Sequence, residues 1–169
     1  MPETQDLGSL QHISADAVGQ PGQRRFRLRL ITKSVEYAYI WLEKEQLVAL
    51  SEAIDTVLEE DSSGSVVGNP DDPVFPLDVN LEIDSRSGNL SLGLNKTDEL
   101  IILVAVGISG EEAFSLSIQF DYVLAKALCA QIEILVAAGR QPCQLCGGPI
   151  DPEGHVCPRS NGFHEIDPN

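Results

Sequence analysis

Alternating hydrophobic and polar positions predict strands along much of the chain. Arginines alternate with apolar residues from Arg25 to Leu30, and aromatic and β-branched residues dominate Val35 to Trp41. The pattern predicts a hairpin with its turn at Thr32–Ser34. Apolar residues also occupy every second position from Leu77 to Asp84 and from Leu90 to Leu94. The Ser-Gly-Asn sequence between these last two stretches is typical of a turn joining two strands.

Two more strands and two helices complete the pattern. Leu100 to Val106 is apolar at every position, which predicts a central strand covered on both sides or a strand at a subunit contact, and therefore a candidate homodimer. Phe114 to Phe120 alternates like an ordinary strand. Apolar residues recur at helical spacing from Glu43 to about Glu60 and again from Asp121 to Gly139, with an acidic residue opening each segment.

The order of these elements predicts an α+β fold. We expect an antiparallel sheet of about six strands with two helices on one face, built from two ββα units plus a hairpin. The chain also contains a weak internal repeat. When the sequence is aligned with itself at an offset of 78 residues, Ile40 matches Ile118 and Leu50 matches Leu128. Such matches arise from duplication or from shared patterning rules. Residues 1–139 would form this domain, and residues 140–169 a small zinc-ribbon-like appendage.

Composition restricts the class of protein. The chain has 169 residues, of which 43% are hydrophobic, so it can bury a sizeable core. A net charge of -15 disfavours nonspecific binding to nucleic acid or to an anionic membrane. The sequence lacks an apolar run of about 18 residues, and its first residues are polar and acidic, so we expect a cytoplasmic protein without a membrane span or signal peptide.

A cysteine and histidine cluster near the C-terminus is typical of a zinc site. Cys143 and Cys146 are three positions apart before two glycines, and a third cysteine, Cys157, follows within fifteen residues. This spacing predicts three thiolate ligands for Zn²⁺. His155 is the favoured fourth ligand, because on an extended strand it points the same way as Cys157. His164 and a water molecule are the alternatives.

The identity of the fourth ligand distinguishes two candidate functions. A closed site with four protein ligands is structural, whereas three ligands plus water would suit a zinc-dependent hydrolase with Glu153 as candidate base. The chain contains no nucleophile-elbow, Walker-type or dinucleotide-binding motif, so no catalytic residue is assigned and the balance lies against an enzyme. The leading hypothesis is a non-catalytic, zinc-stabilised interaction or accessory protein with a protein partner. A nucleic-acid-binding zinc ribbon is less favoured, because acidic residues outnumber basic ones after Arg140.

An arginine stripe is a second candidate site. Alternate positions on one face of the first predicted strand carry arginines, and another precedes them: Arg24, Arg25, Arg27 and Arg29. These side chains could bind a phosphate or an acidic partner. They could equally pair within the protein with an acidic stripe that has the same two-residue period: Asp78, Asn80, Glu82 and Asp84.

Three motifs carry a resemblance to a known family. They are Gly19-Gln-Pro-Gly-Gln-Arg-x-Phe26, Leu42-Glu-Lys-x-Gln46, and a long ending that runs Ala138-Gly-Arg-x-Pro-Cys143-x-x-Cys146-Gly-x-Pro-x-Asp-Pro-Glu-Gly-His155-x-Cys157-Pro-Arg-x-Asn-Gly162. The chain resembles a family of uncharacterised bacterial proteins classed as a domain of unknown function. The resemblance implies that Cys143, Cys146, His155 and Cys157 are the four ligands. It also implies a protein partner, since the family looks like one member of a trio often encoded together with a histidine-type phosphatase and a kinase-like protein.

Overall fold

The computed structural model describes residues 2–20, 22–61, 70–139, 143–148, 150 and 154–159. Six strands and two helices follow one another in these ranges. In chain order they are β1 (Thr4–Val18), β2 (Arg25–Thr32), β3 (Tyr37–Leu42), α1 (Lys44–Glu60), β4 (Leu81–Asn95), β5 (Leu100–Ser109), β6 (Glu112–Asp121) and α2 (Tyr122–Ala137). Neither helix combines the length and apolar character needed to cross a membrane.

The six strands form a closed barrel in sequence order. Four neighbouring pairs are antiparallel, but β3 pairs with β4 and β1 pairs with β6 in parallel. The expected open antiparallel sheet with two helices on one face is therefore wrong. Alternation along a strand shows which side chains face the core, but it does not show the direction or identity of the neighbouring strand. A parallel pair needs a crossover connection, and α1 provides it between β3 and β4.

Strand β1 was not expected from the sequence. Its register shifts twice. One shift lies between Asp6 and Ser9 in the pairing with β6, and the other lies between Leu10 and His12 in the pairing with β2. Each irregularity interrupts the two-residue period that identifies a strand. The two-residue period is regular only after Leu10, and there the apolar face includes two alanines.

The predicted turn between Asp84 and Leu90 is also wrong, because β4 is one continuous strand. Leu81–Asp84 pairs with β3, Asp84 and the strand from Asn89 onward pair with β5, and a register shift lies between Asp84 and Asn89 in the β5 pairing. At this bulge the backbones approach so closely that a Cβ on Gly88 would lie 1.7 Å from the Val106 carbonyl oxygen. The Ser-Gly-Asn sequence therefore provides a bulge rather than a hairpin turn.

The internal repeat corresponds to two βββα halves rather than two ββα units. Each half consists of three antiparallel strands and a helix, and each parallel pair joins one half to the other. The Cys129 thiol of α2 donates to the Ser51 carbonyl of α1 at 3.6 Å, and these residues are 78 positions apart. Equivalent residues that touch one another must lie near an approximate twofold axis, so the helices cross at this point.

The core lies between the barrel wall and the two helices. Leu28, Ile40, Ile83 and Leu103 are fully buried in it, together with Leu47 of α1. Strand β5 alternates in burial despite its uniformly apolar sequence, because Ile102, Val104 and Val106 face outward and stay partly accessible. This outer face is not completely covered within the described chain, and the homodimer stays a prediction.

The helix boundaries agree with the sequence pattern. Glu43 is the N-cap of α1 and forms a capping box with Gln46. Asp121 caps α2 by accepting the Leu124 N–H at 2.8 Å. Local capping chemistry thus positions both helix starts.

Replacing Gly88 by alanine should destabilise the barrel, because the new methyl group would overlap the Val106 carbonyl. We expect the free energy of unfolding to fall by about 3 kcal/mol, at the upper end of the usual overpacking range. Gly93→Ala on the same strand is the matched control, since its Cβ would meet Ile102 at an ordinary 3.7 Å. Urea unfolding of both variants checks this, and equal stability of the two would contradict the bulge geometry.

Candidate metal centre and arginine face

The structure brings Cys143, Cys146, His155 and Cys157 together, with one ligand atom from each and all four atoms within 4.8 Å of one another. The Cys143 and Cys157 sulfurs are 3.8 Å apart, and the Cys146 sulfur lies 3.2 Å from His155 Nε2. A tetrahedral ion with metal–sulfur bonds of about 2.3 Å sets its sulfur atoms about 3.8 Å apart. These residues therefore lie close enough to bind a metal ion.

A tight turn presents the first two cysteines. The Cys143 N–H donates to the Gly148 carbonyl at 2.7 Å, and the Gly147 N–H donates back to the Cys143 carbonyl at 2.8 Å. Gly147 has a φ of 73°, which favours glycine. The Gly148 N–H donates to the Cys146 sulfur at 3.4 Å, and a Cβ on Gly148 would lie 3.3 Å from that sulfur. Gly147 thus supplies the left-handed backbone of the turn, whereas Gly148 leaves room for the Cys146 sulfur and aims its N–H group at it.

The backbone also shifts the thiol pKa values. The N–H groups of Cys146 and Leu145 donate to the Cys143 sulfur and lower the pKa of that thiol to about 6. The Gly148 N–H acts in the same direction on Cys146, but burial and the neighbouring thiols outweigh it and raise the pKa of Cys146. Zinc binds the thiolate form of cysteine, and these N–H groups favour the thiolate of Cys143.

The other half of the cluster comes from His155 and Cys157. Cys157 is buried and His155 half-buried. Arg159 donates from Nη1 to the Leu145 carbonyl at 3.0 Å and so ties this stretch to the cysteine turn. The alternative ligand His164 and the candidate base Glu153 lie outside the described residues.

Cys129 belongs to the barrel core instead. None of the four cysteines, all of which the structure describes, forms a disulfide. Burial raises the pKa of the Cys129 thiol to about 11, so this side chain stays protonated and behaves as a small apolar residue.

Three of the four arginines share the outer face of β2. Arg27 donates two hydrogen bonds to the Asp16 carboxylate, at 2.7 and 2.9 Å, and its guanidinium lies 4.0 Å from the centre of the Tyr39 ring. Arg25 lies 4.2 Å above Trp41. We call the outer surface of β1, β2 and β3 around Arg25, Arg27 and Arg29 the arginine face. Here each arginine contacts an aromatic ring.

Arg24 and Arg29 differ in their partners. Arg24 donates to the Leu135 carbonyl at 3.0 Å, at the end of α2, and therefore stabilises a helix terminus. Arg29 donates from Nε to the Ser14 hydroxyl and from Nη2 to Asp72, each at 3.1 Å. The structure thus separates Arg24 from the other three.

The acidic stripe has other partners than those expected. Glu82 accepts the Trp41 indole N–H. Asp84 pairs with Arg86, whose side-chain hydrogen bonds lower the pKa of that carboxyl. The arginines pair with Asp16 of β1 and with Asp72 instead. Sequence reasoning missed Asp16 because it did not anticipate β1, and it missed Asp72 because the position of an irregular segment leaves no periodic signal.

His12 is a further residue that the sequence did not single out. Its side chain is 7% exposed, and Nε2 has no hydrogen-bond partner among the described residues. The nearest carboxylate oxygen, Asp72 Oδ1, is 4.0 Å away. Burial lowers the pKa of His12, a shift that Asp72 opposes and Arg29 reinforces. The only sequence signal was the two-residue spacing of His12, Ser14 and Asp16.

The Arg27–Asp16 pair should contribute measurably to stability, because both side chains are mostly buried. A double-mutant cycle with Arg27→Gln, Asp16→Asn and the combined variant should give a coupling free energy of about 1–2 kcal/mol. Thermal and urea unfolding supply the four values. A coupling near zero would mean that Arg27 is available as a binding group.

Comparison with known families gives a match over most of the chain. A profile of the family described as "Protein of unknown function (DUF3090)" covers residues 6–157. The matched range includes all four cluster residues and ends before His164. A comparison with curated proteins finds no match.

Proposed function

This chain belongs to the DUF3090 family of proteins of unknown function, and we propose that it is a non-catalytic interaction protein whose C-terminal tail is fastened by a structural Zn²⁺. The ligands are Cys143, Cys146, His155 and Cys157. The observation that carries the proposal is the set of four ligand atoms within 4.8 Å of one another.

The donor set favours zinc. Three thiolates and one imidazole in tetrahedral spacing suit a borderline-soft ion with no redox chemistry of its own. With four protein ligands the coordination shell is complete, so no position is left for an activated water. This supports a structural rather than a hydrolytic role.

Metal binding would stabilise the fold of the tail. Leu145, Ile150 and Val156 are exposed, so the described part of the tail does not build an apolar core around them. Metal coordination replaces such a core by coupling binding to folding. It also leaves these apolar side chains accessible, which supports a protein partner. The thiolate ligands favour a reducing compartment such as the cytoplasm.

The purified protein should contain one Zn²⁺ per chain, and Cys157→Ser should abolish tight binding because it removes a thiolate. Cys129→Ser is the matched control: it changes a cysteine outside the cluster and should keep the metal. Elemental analysis gives the stoichiometry. The spectrum of the Co²⁺-substituted protein reports coordination, and a tetrahedral signal with thiolate charge transfer is expected. A site with bound water would favour the hydrolase, and a protein without metal would overturn the zinc proposal.

Thiol accessibility should separate the two classes of cysteine. Zinc-bound protein should react slowly with a thiol reagent such as DTNB, and chelation should release three reactive thiols while the barrel stays folded. The fourth thiol, Cys129, should react only on denaturation, because burial raises its pKa to about 11. Four fast thiols after chelation would mean that the barrel itself depends on the metal.

A further inference from the structure

Residues 70–76 lie on the arginine face as an irregular segment, outside any helix or strand. Asp72 accepts a hydrogen bond from Arg29 Nη2 at 3.1 Å. The Pro76 carbonyl accepts the Tyr39 hydroxyl at 3.1 Å. Side chains of the barrel wall therefore hold this segment in the manner of a bound peptide.

Phe75 is the apolar anchor of the segment. The centre of its ring lies 5.9 Å from that of His12, 5.8 Å from that of Tyr37 and 6.2 Å from that of Tyr39. The Arg29 guanidinium lies 4.7 Å from the same ring centre. Three rings and a cation thus surround one phenyl group.

The segment fits this recess incompletely. Asp72 Oδ1 reaches Arg29 but stops 4.0 Å from His12 Nε2, which leaves the buried nitrogen without a hydrogen-bond partner among the described residues. An unsatisfied buried polar group is destabilising. The Asp72 side chain is 63% exposed, so its carboxylate lies at the rim. A carboxylate oxygen placed about 1 Å closer to His12 Nε2 would come within ordinary hydrogen-bond distance of that nitrogen.

We propose that the recess formed by His12, Arg29, Tyr37 and Tyr39 binds an extended peptide of a partner protein, and that residues 70–76 occupy it within the chain. The recognised peptide carries a carboxylate followed three residues later by an aromatic ring, as Asp72 and Phe75 do. This deepens, and rests on, the interaction role proposed above. It shares no residue with the metal cluster, so its failure can be distinguished from failure of the zinc proposal.

A peptide fits this recess better than a free phosphate. Asp16 lies 3.9 Å from Arg29 and pairs with Arg27, so the arginine charge is largely balanced and a dianion gains little. The aromatic rings around Phe75 would make no favourable contact with an inorganic anion. The tethered segment acts at an effective concentration on the order of millimolar, and a partner must exceed that competition.

The test is binding of the segment's own sequence in trans. The probe is a fluorescein-labelled synthetic peptide of residues 70–77, Pro-Asp-Asp-Pro-Val-Phe-Pro-Leu, added to the full-length double variant Asp72→Ala with Phe75→Ala. The cleared recess should bind the peptide at least about tenfold more tightly than the wild type does, because the internal competitor is gone. Fluorescence anisotropy measures both affinities.

The same segment offers a matched control. Val74 and Leu77 are 91% and 100% exposed, so Val74→Ala with Leu77→Ala changes two residues without clearing the recess and should behave like the wild type. Adding Arg29→Lys to the cleared variant should reduce binding at least about tenfold. A lysine ammonium cannot donate in two directions as the guanidinium does from Nε and Nη2. A labelled peptide lacking both anchors should not bind.

Three results would overturn the proposal. They are a folded, cleared variant that does not bind the peptide, equal peptide binding by the wild type and the cleared variant, and displacement of the native peptide by inorganic phosphate. Circular dichroism confirms folding of each variant. Repeating the measurement with Cys157→Ser separates the two proposals, since peptide binding should persist when the metal is lost.

Discussion

Closure of the barrel depends on two long strands that each change partner along their length. Strand β1 joins β6 through its first half and β2 through its second, and β4 makes the same exchange between β3 and β5. Each exchange is accompanied by a register shift. At β4 the backbones pass so closely that position 88 accommodates only glycine. The parallel pairs formed in this way hold the two βββα halves together. Without them each half would have unpaired strand edges, which are prone to association.

The two halves share an architecture but differ on their outer surfaces. The middle strand of the first half, β2, carries arginines that stack on aromatic rings. The middle strand of the second half, β5, carries Ile102, Val104 and Val106 instead. Inward positions are under the common constraint of one packed core, so they retain the same apolar pattern. Outward positions are free to acquire separate roles, and the arginine face is where a segment of the chain is already bound.

The barrel and the tail are stabilised by different physical means. The barrel buries an extensive apolar core, whereas the described tail exposes its apolar side chains and gathers four donor atoms around one point. Loss of a metal would therefore affect the tail more than the barrel. The chain as a whole carries a net charge of -15, which disfavours nonspecific binding to nucleic acid.

The features that the sequence predicted are those that depend on residues close together in the chain. Capping residues and helical periodicity located α1 and α2, and cysteine spacing located the four candidate ligands, because neighbouring residues alone control these features. The sequence could not predict β1, the continuous β4 or the closed barrel, since strand partners and bulges depend on contacts between distant residues. It also could not place Asp16, Asp72 and His12 around the arginines. Only the tertiary structure decided that, because a strand's outward side chains are paired by whatever strand or segment the fold brings beside them.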